Sequence, residues 1–171
     1  MDKRWIYIII IAIAGIGCLY LTAESSNNIA SANINVDKFI ITVPQSFNIE
    51  KSGGDDIRLI NRENGERINV AFLGKGTDID QNMTDKINAL SQNGNITVME
   101  TTTTKINNET VPIIYYEKLP NNSVNQVAFI TKFDYKFSIE CANFNDNATI
   151  THHIEFISDS LKKDFKHKQD L

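Results

Sequence analysis

The run from Trp5 to Ala23 carries no charged residue, and it constrains this chain more than any other stretch. At about 1.5 Å per residue a helix of this length spans roughly 28 Å, the thickness of a hydrocarbon core. Only a helix satisfies its backbone internally as a single span there. Lys3 and Arg4 precede the run, and Glu24 is the first charge after it. Positive charge stays on the cytoplasmic side, so the N-terminus is expected inside the cell membrane and the rest outside. Trp5, Tyr7 and Tyr20 lie near the two ends, where amphipathic rings favour the interface. The expected organisation is an N-terminal signal-anchor over 1–23, a flexible tether over 24–36 and one extracytoplasmic domain over 37–171. Two other readings share the run. A cleaved signal would exit at Leu21-Thr22-Ala23, although typical h-regions are shorter, about 7–15 residues. A lipoprotein signal would end at Cys18 after Gly17, but Gly15 suits it poorly and apolar residues continue beyond it. All three export the remainder of the chain.

Removing anchor and tether from the 171 residues leaves about 135, enough for one core of ordinary size. The net charge of −4 is not a nucleic-acid footprint. Cys18 lies in the apolar run and Cys141 in the domain, so they cannot form a bridge within one molecule and the fold is no disulfide scaffold. Asn-x-Ser/Thr triplets occur at Asn82, Asn95, Asn108, Asn121 and Asn147. Each is a glycan acceptor where the host has the machinery, though a chain rich in Asn and Thr makes such triplets by chance.

Residues 24–36 are small, polar and aperiodic, as a tether should be. The alternation of Phe39 to Val43 predicts a strand stopped by Pro44. Ile57–Arg62 and Glu66–Leu73 predict a hairpin around Asn64-Gly65. Thr77 or Asp78 should cap a helix whose stripe is Ile79, Met83, Ile87 and Leu90, ended by Gly94. Strands are expected over Asn95–Ile106, Val111–Lys118, Val124–Phe133 and Lys136–Asn143, with the last two turning at Asp134-Tyr135. After a cap in Asn145-Asp146-Asn147, a closing helix should run from about Ala148 to Asp164. Ile150, Ile154, Ile157, Leu161 and Phe165 would lie on one face, with the cations of 162–168 at its C-terminal end.

One strand face then carries Phe39, Ile41 and Val43; Ile57 and Leu59; Ile68, Val70 and Phe72; Ile113 and Tyr115; Val127 and Phe129; Phe137, Ile139 and Cys141. The opposite face carries Ile40, Ile60, Ala71, Leu73, Ile114, Tyr116, Ala128 and Ile130. A sheet wet on one side would be polar at the second set, and this one is not. With two amphipathic helices available, the expected fold is α+β: an antiparallel sheet of six or seven strands between two helical layers (α/β/α).

These residues resemble a family. The order is a Phe39-x-Ile41-x-Val43-Pro44 start, a hairpin, a helix after a Gly/Asp loop and a run of antiparallel strands. An aromatic hairpin then leads into Phe137-Ser138-Ile139-Glu140-Cys141-Ala142, and a helix ending Phe156-Ile157-Ser158-Asp159-Ser160-Leu161-Lys162 closes the chain. Over about residues 37–165 this looks like the PsbP-like fold, found among exported prokaryotic proteins. The resemblance implies an α/β/α sandwich used as a binding or assembly module without chemistry of its own. It assigns no functional residue.

His152, His153 and Glu155 are the candidate metal residues, because His152 and Glu155 share a helix face. No third His or Cys ligand is patterned nearby, and a solvated helix face is the preferred explanation of them. Cys141 alternates with Phe137 and Ile139 as a small core residue. Asp55-Asp56 and Asp78-x-Asp80 suit loose calcium binding, but also a turn and a helix N-terminus. No hydrolase, phosphate-loop or zincin motif occurs. The expected function is a non-catalytic binding or assembly module of the cell envelope. It needs no cofactor, is held to the membrane by Trp5–Ala23, and acts on an unidentified envelope protein or polymer. The alternatives are a metal-assisted or hydrolytic envelope enzyme using His152, His153 and Glu155, and a solute-sensing domain.

Overall fold

The computed structural model describes residues 30–34, 39–120 and 123–163. In chain order the elements are β1 (Ser31–Ile34), β2 (Phe39–Thr42), β3 (Asn48–Lys51), β4 (Asp56–Ile60), β5 (Arg67–Lys75), α1 (Ile79–Ser91), β6 (Ile96–Ile106), β7 (Glu109–Lys118), β8 (Ser123–Lys132), β9 (Tyr135–Phe144), α2 (Asn147–Ser160) and β10 (Lys162–Lys163). The main sheet has seven strands in the order β3-β4-β5-β9-β8-β7-β6, all antiparallel. A small sheet, β1-β2-β10, lies apart from it. The fold is α+β, with a helix on each side of the main sheet. Among the described residues no helix is long and apolar enough to cross a membrane. The run Trp5–Ala23 lies outside the described residues.

Several boundaries differ from those expected, each for a local reason. Ser31–Ile34 falls in the stretch read as tether, yet it is a strand: Ala32 and Ile34 are buried and pair with Ile41 and Phe39. Two inward residues among polar ones make too short an alternation to register as a period. The closing helix ends at Ser160, not near Asp164. Leu161 is already extended, and Lys162 and Lys163 pair with Ile40 and Phe39 instead of crowning the helix C-terminus. α1 ends at Ser91 with Gln92 as its cap, ahead of Gly94. The β8–β9 turn residues are Phe133 and Asp134, both at positive φ (54° and 63°), one position earlier than expected. β5 carries a register shift between Phe72 and Gly74 against β9. Gly74 sits there at φ 112°, a conformation open to glycine at little cost.

The face assignment is corrected in two places. Phe39, Ile41 and Val43 belong to the small sheet and its edge and pack onto the main sheet from outside. In β8 the two sets exchange. Ala128 pairs with Ile113 and Ile139, while Val127 pairs with Ile114 and Glu140. Directly opposed residues share a face, so Ala128 and Ile130 join the α2 side, and Val127 and Phe129 the α1 side. Asn125 to Ile130 are all buried, so periodicity alone could not orient the strand.

The larger core lies between the main sheet, α2 and the small sheet. It centres on Phe39, Phe137, Phe144, Ile139, Ile154 and Ile157. Phe39 and Phe137 meet edge-on at 5.0 Å, a favoured aromatic geometry. The smaller core lies under α1 and contains Leu90, Ile114, Tyr116, Val127 and Phe129. Asp78 caps α1 by accepting from the backbone N–H groups of Asp80 and Gln81. Asp146 caps α2 by accepting from Thr149.

Candidate functional site

Where α1 meets the open end of the sheet, a charged group is held inside an apolar layer. Glu140 lies on β9 and faces α1. Its Oε1 accepts from the Tyr116 hydroxyl at 2.7 Å, and its Oε2 accepts from Lys86 Nζ, on α1, at 2.8 Å. Tyr116 is 5% exposed. Burial, and then the Glu140 charge, push its phenol far above the ordinary range, so it stays a donor at all working pH. The carboxylate thus has a cation on one oxygen and a neutral donor on the other. Both carboxylate oxygens are therefore already occupied by donors.

Next to this group is a cleft of about 470 Å³, open at the end of the sheet. Its polar wall comes from Arg67 on β5, Asn143 and Glu140 on β9, Asn125 on β8 and Lys118 on β7. Its apolar wall is Leu90 of α1 and Ile96 of β6. Asn125 is fully committed: Nδ2 donates to the carbonyls of Tyr116 and Ser123, and Oδ1 accepts from Asn143 N–H. Asn143 stands at φ 66° and donates from Nδ2 to the Gly65 carbonyl. The floor is therefore rigid. On the opposite side of the same strands a cleft of about 400 Å³ is lined by Met99, Glu100, Tyr115, Glu117 and Val124. Its two carboxylates give it the contrary charge, and burial followed by Glu100 raises the Tyr115 phenol.

The residues singled out in the sequence go elsewhere. His152 and His153 are adjacent on α2, with ring centroids 5.9 Å apart. His152 is exposed, but His153 is not on a solvated face. It is half-buried, edge-on to Phe47 at 5.2 Å and tilted on Phe144 at 5.5 Å. Burial, with the neighbouring His152, lowers its pKa. Glu155 lies a turn further along, where its backbone carbonyl, not its carboxylate, meets Asn107. Among the described residues no group of three or more His, Cys, Asp or Glu side chains converges as a metal site would require. Cys141 is completely buried, and burial pushes its thiol up. Asp56 is ion-paired with Lys51 and Arg58, which hold its carboxyl below the ordinary range, Lys51 foremost. Asp78 is the α1 cap. Of the five sequons, Asn95, Asn108 and Asn147 are exposed and Asn82 lies within α1. Asn147 Oδ1 already accepts from the buried Gln126. Asn121 lies outside the described residues.

No family model matches this chain, and no curated protein does. Among solved structures it matches the solution structure of cyanobacterial PsbP (CyanoP) from Synechocystis sp. PCC 6803. The two are 13% identical, the match covers 79% of this chain and 92% of that one, and the TM-score is 0.48. The chain is similar to a PsbP. That is the family its order of strands and helices resembles. At this identity the PsbP match assigns no residue role and no partner.

Proposed function

We propose that this protein is a non-catalytic binding or assembly module of the cell envelope, held at the outer side of the membrane by Trp5–Ala23. What supports the non-catalytic part is how the reactive groups are engaged. Glu140 is clamped by Lys86 and Tyr116, Cys141 is sealed in the larger core, and His153 is wedged between Phe47 and Phe144. A nucleophile or general base must be free to react: Cys141 is sealed from solvent, His153 is half-buried between two rings, and both oxygens of Glu140, although it lines a cleft, already accept from donors. What supports the address is the uncharged run behind Lys3 and Arg4. The partner is an envelope protein or polymer met by the exported surface.

Membrane fractions should retain the full-length protein through high-salt and alkaline washing, while protease added from outside digests the domain. Crosslinking before detergent extraction should then recover a stoichiometric envelope partner with the full chain. A mature protein beginning near Glu24 would refute the anchor. Stoichiometric zinc, with a hydrolytic turnover lost in a His152→Gln, His153→Gln double variant, would replace the module with an enzyme.

A further inference from the structure

We propose that the cleft beneath α1 binds a small organic anion: a carboxylate or phosphate ester carrying a compact apolar body. This goes beyond the assembly reading, which needs no small ligand. At about 470 Å³ the cleft falls within the usual span of small-molecule sites, about 300–1,000 Å³.

Its charge is the deciding feature. The only acid lining it is Glu140, already compensated by Lys86 and by the Tyr116 hydroxyl. The two lining cations lack comparable partners. Among the described residues no carboxylate lies within 4.0 Å of Lys118, and the one near Arg67 is Glu50, at 3.9 Å with both side chains about half exposed. An exposed pair at that distance contributes little. The lining therefore carries an excess of positive charge.

Position and shape narrow the class. β9 and β8 separate β5 from β7, a lateral gap of about 14 Å. Arg67 pairs with Ala142, and Lys118 lies two residues beyond Tyr116, which pairs with Asn125. Both Arg67 and Lys118 line the cleft, over a floor already fixed by Asn125 and Asn143. Leu90 and Ile96 offer an apolar wall beside that space. The carbonyl end of α1 points this way and by itself disfavours an anion. Two of its last carbonyls, however, Asn88 and Leu90, accept from Gln92 and Asn93. A bare inorganic ion would leave the apolar wall unused, and a neutral molecule would leave both cations unused.

The test uses the full-length chain in a neutral detergent, with phenyl phosphate, inorganic phosphate and benzyl alcohol as probes. Binding is read from the methyl shifts of Leu90 and Ile96. Phenyl phosphate should bind at least about tenfold more tightly than either other probe. Arg67→Gln and Lys118→Gln should each weaken it about tenfold, with unchanged melting, since both side chains lie at the surface. Higher salt should weaken it further. No saturable shift with phenyl phosphate, equal affinity for benzyl alcohol, or an unaffected double variant would each overturn the proposal. Partner recovery by crosslinking is measured separately, so loss of one result leaves the other standing.

Discussion

On the α2 side of the main sheet, Phe39, Phe137, Ile139, Ile154 and Ile157 are wholly excluded from solvent. On the α1 side only Leu90 of the helix is buried, while Ile79, Met83 and Ile87 remain partly open. The two layers differ in their third component. α2 is joined by the β1-β2-β10 sheet, which closes the gaps a single helix leaves, whereas α1 lies alone over the half of its face formed by β6, β7 and β8. Where it does not reach, β4 and β5 intersperse Arg58, Arg67 and Asn69 with Ile60 and Ala71. Stability should therefore reside on the α2 side and adaptability on the α1 side, where the charged cleft is. Binding surfaces are commonly drawn from the less stable part of a fold.

The largest expected effects measure that inequality directly. Phe137→Ala should cost about 4 kcal/mol, because it empties the aromatic cluster beside Phe39. Tyr116→Ala should cost roughly 3 kcal/mol, as a buried aromatic whose loss also strips a donor from Glu140. Ile87→Ala, on the outer stripe of α1, should cost only about 1 kcal/mol. Urea unfolding of the three variants gives the order. If Ile87→Ala matches Phe137→Ala, the α1 layer is as tightly packed as the other and the contrast is wrong.

Legibility in the sequence divides along the same line. The stripe Ile79, Met83, Ile87 and Leu90 predicts α1, because an amphipathic helix over a partly open face keeps a clean period. Asn64-Gly65 predicts the β4–β5 hairpin, but the connection is the longer loop 61–66, with Gly65 at φ 79° and Asn64 not in the left-handed region, so it is no two-residue type I′ turn. The sequence pattern orients β8 wrongly because both its faces are covered and its apolar run has no period to read. β1 and β10 escape the pattern because short strands are made by their partners, not by their own composition. The cleft could not be read at all. Arg67, Lys118, Asn125 and Glu140 come from four strands, and the β5–β9 pairing that brings Arg67 to the other three joins strands far apart in sequence. One signal was present: Glu140 interrupts Phe137-Ser138-Ile139-Glu140-Cys141 at a position where a covered face should be apolar.

A smaller effect separates the two histidines. Burial, and then the neighbouring His152, lower the folded pKa of His153 below the ordinary value near 6.5. Between those two values the unfolded chain binds more protons than the folded one. Stability is therefore full above the unfolded pKa and falls as the pH drops toward the folded one. His153→Phe should flatten melting temperature against pH between about 7 and 5, and His152→Gln, at an exposed position, should not. An unchanged slope in His153→Phe would assign the pH dependence elsewhere and return His153 to the solvated face.

The smallest expected effect compares two hairpins at one end of the sheet. β6 and β7 turn at Asn107-Asn108, with φ of 50° and 67°; β8 and β9 turn at Phe133-Asp134, with φ of 54° and 63°. Both loops have two residues in the left-handed region, as a type I′ turn requires. Asn tolerates that region, whereas a bulky side chain there costs about 1 kcal/mol or more in steric strain. Phe133 is also 49% exposed, so its ring recovers only part of the burial energy that would offset this. Phe133→Asn should therefore stabilise the domain by about 0.5 kcal/mol, raising the urea midpoint at constant slope. A lowered midpoint would mean that the ring packs more firmly on the hairpin than its exposure indicates. A raised midpoint identifies Phe133 as a residue held at a conformational cost, at the end of the sheet away from the charged cleft.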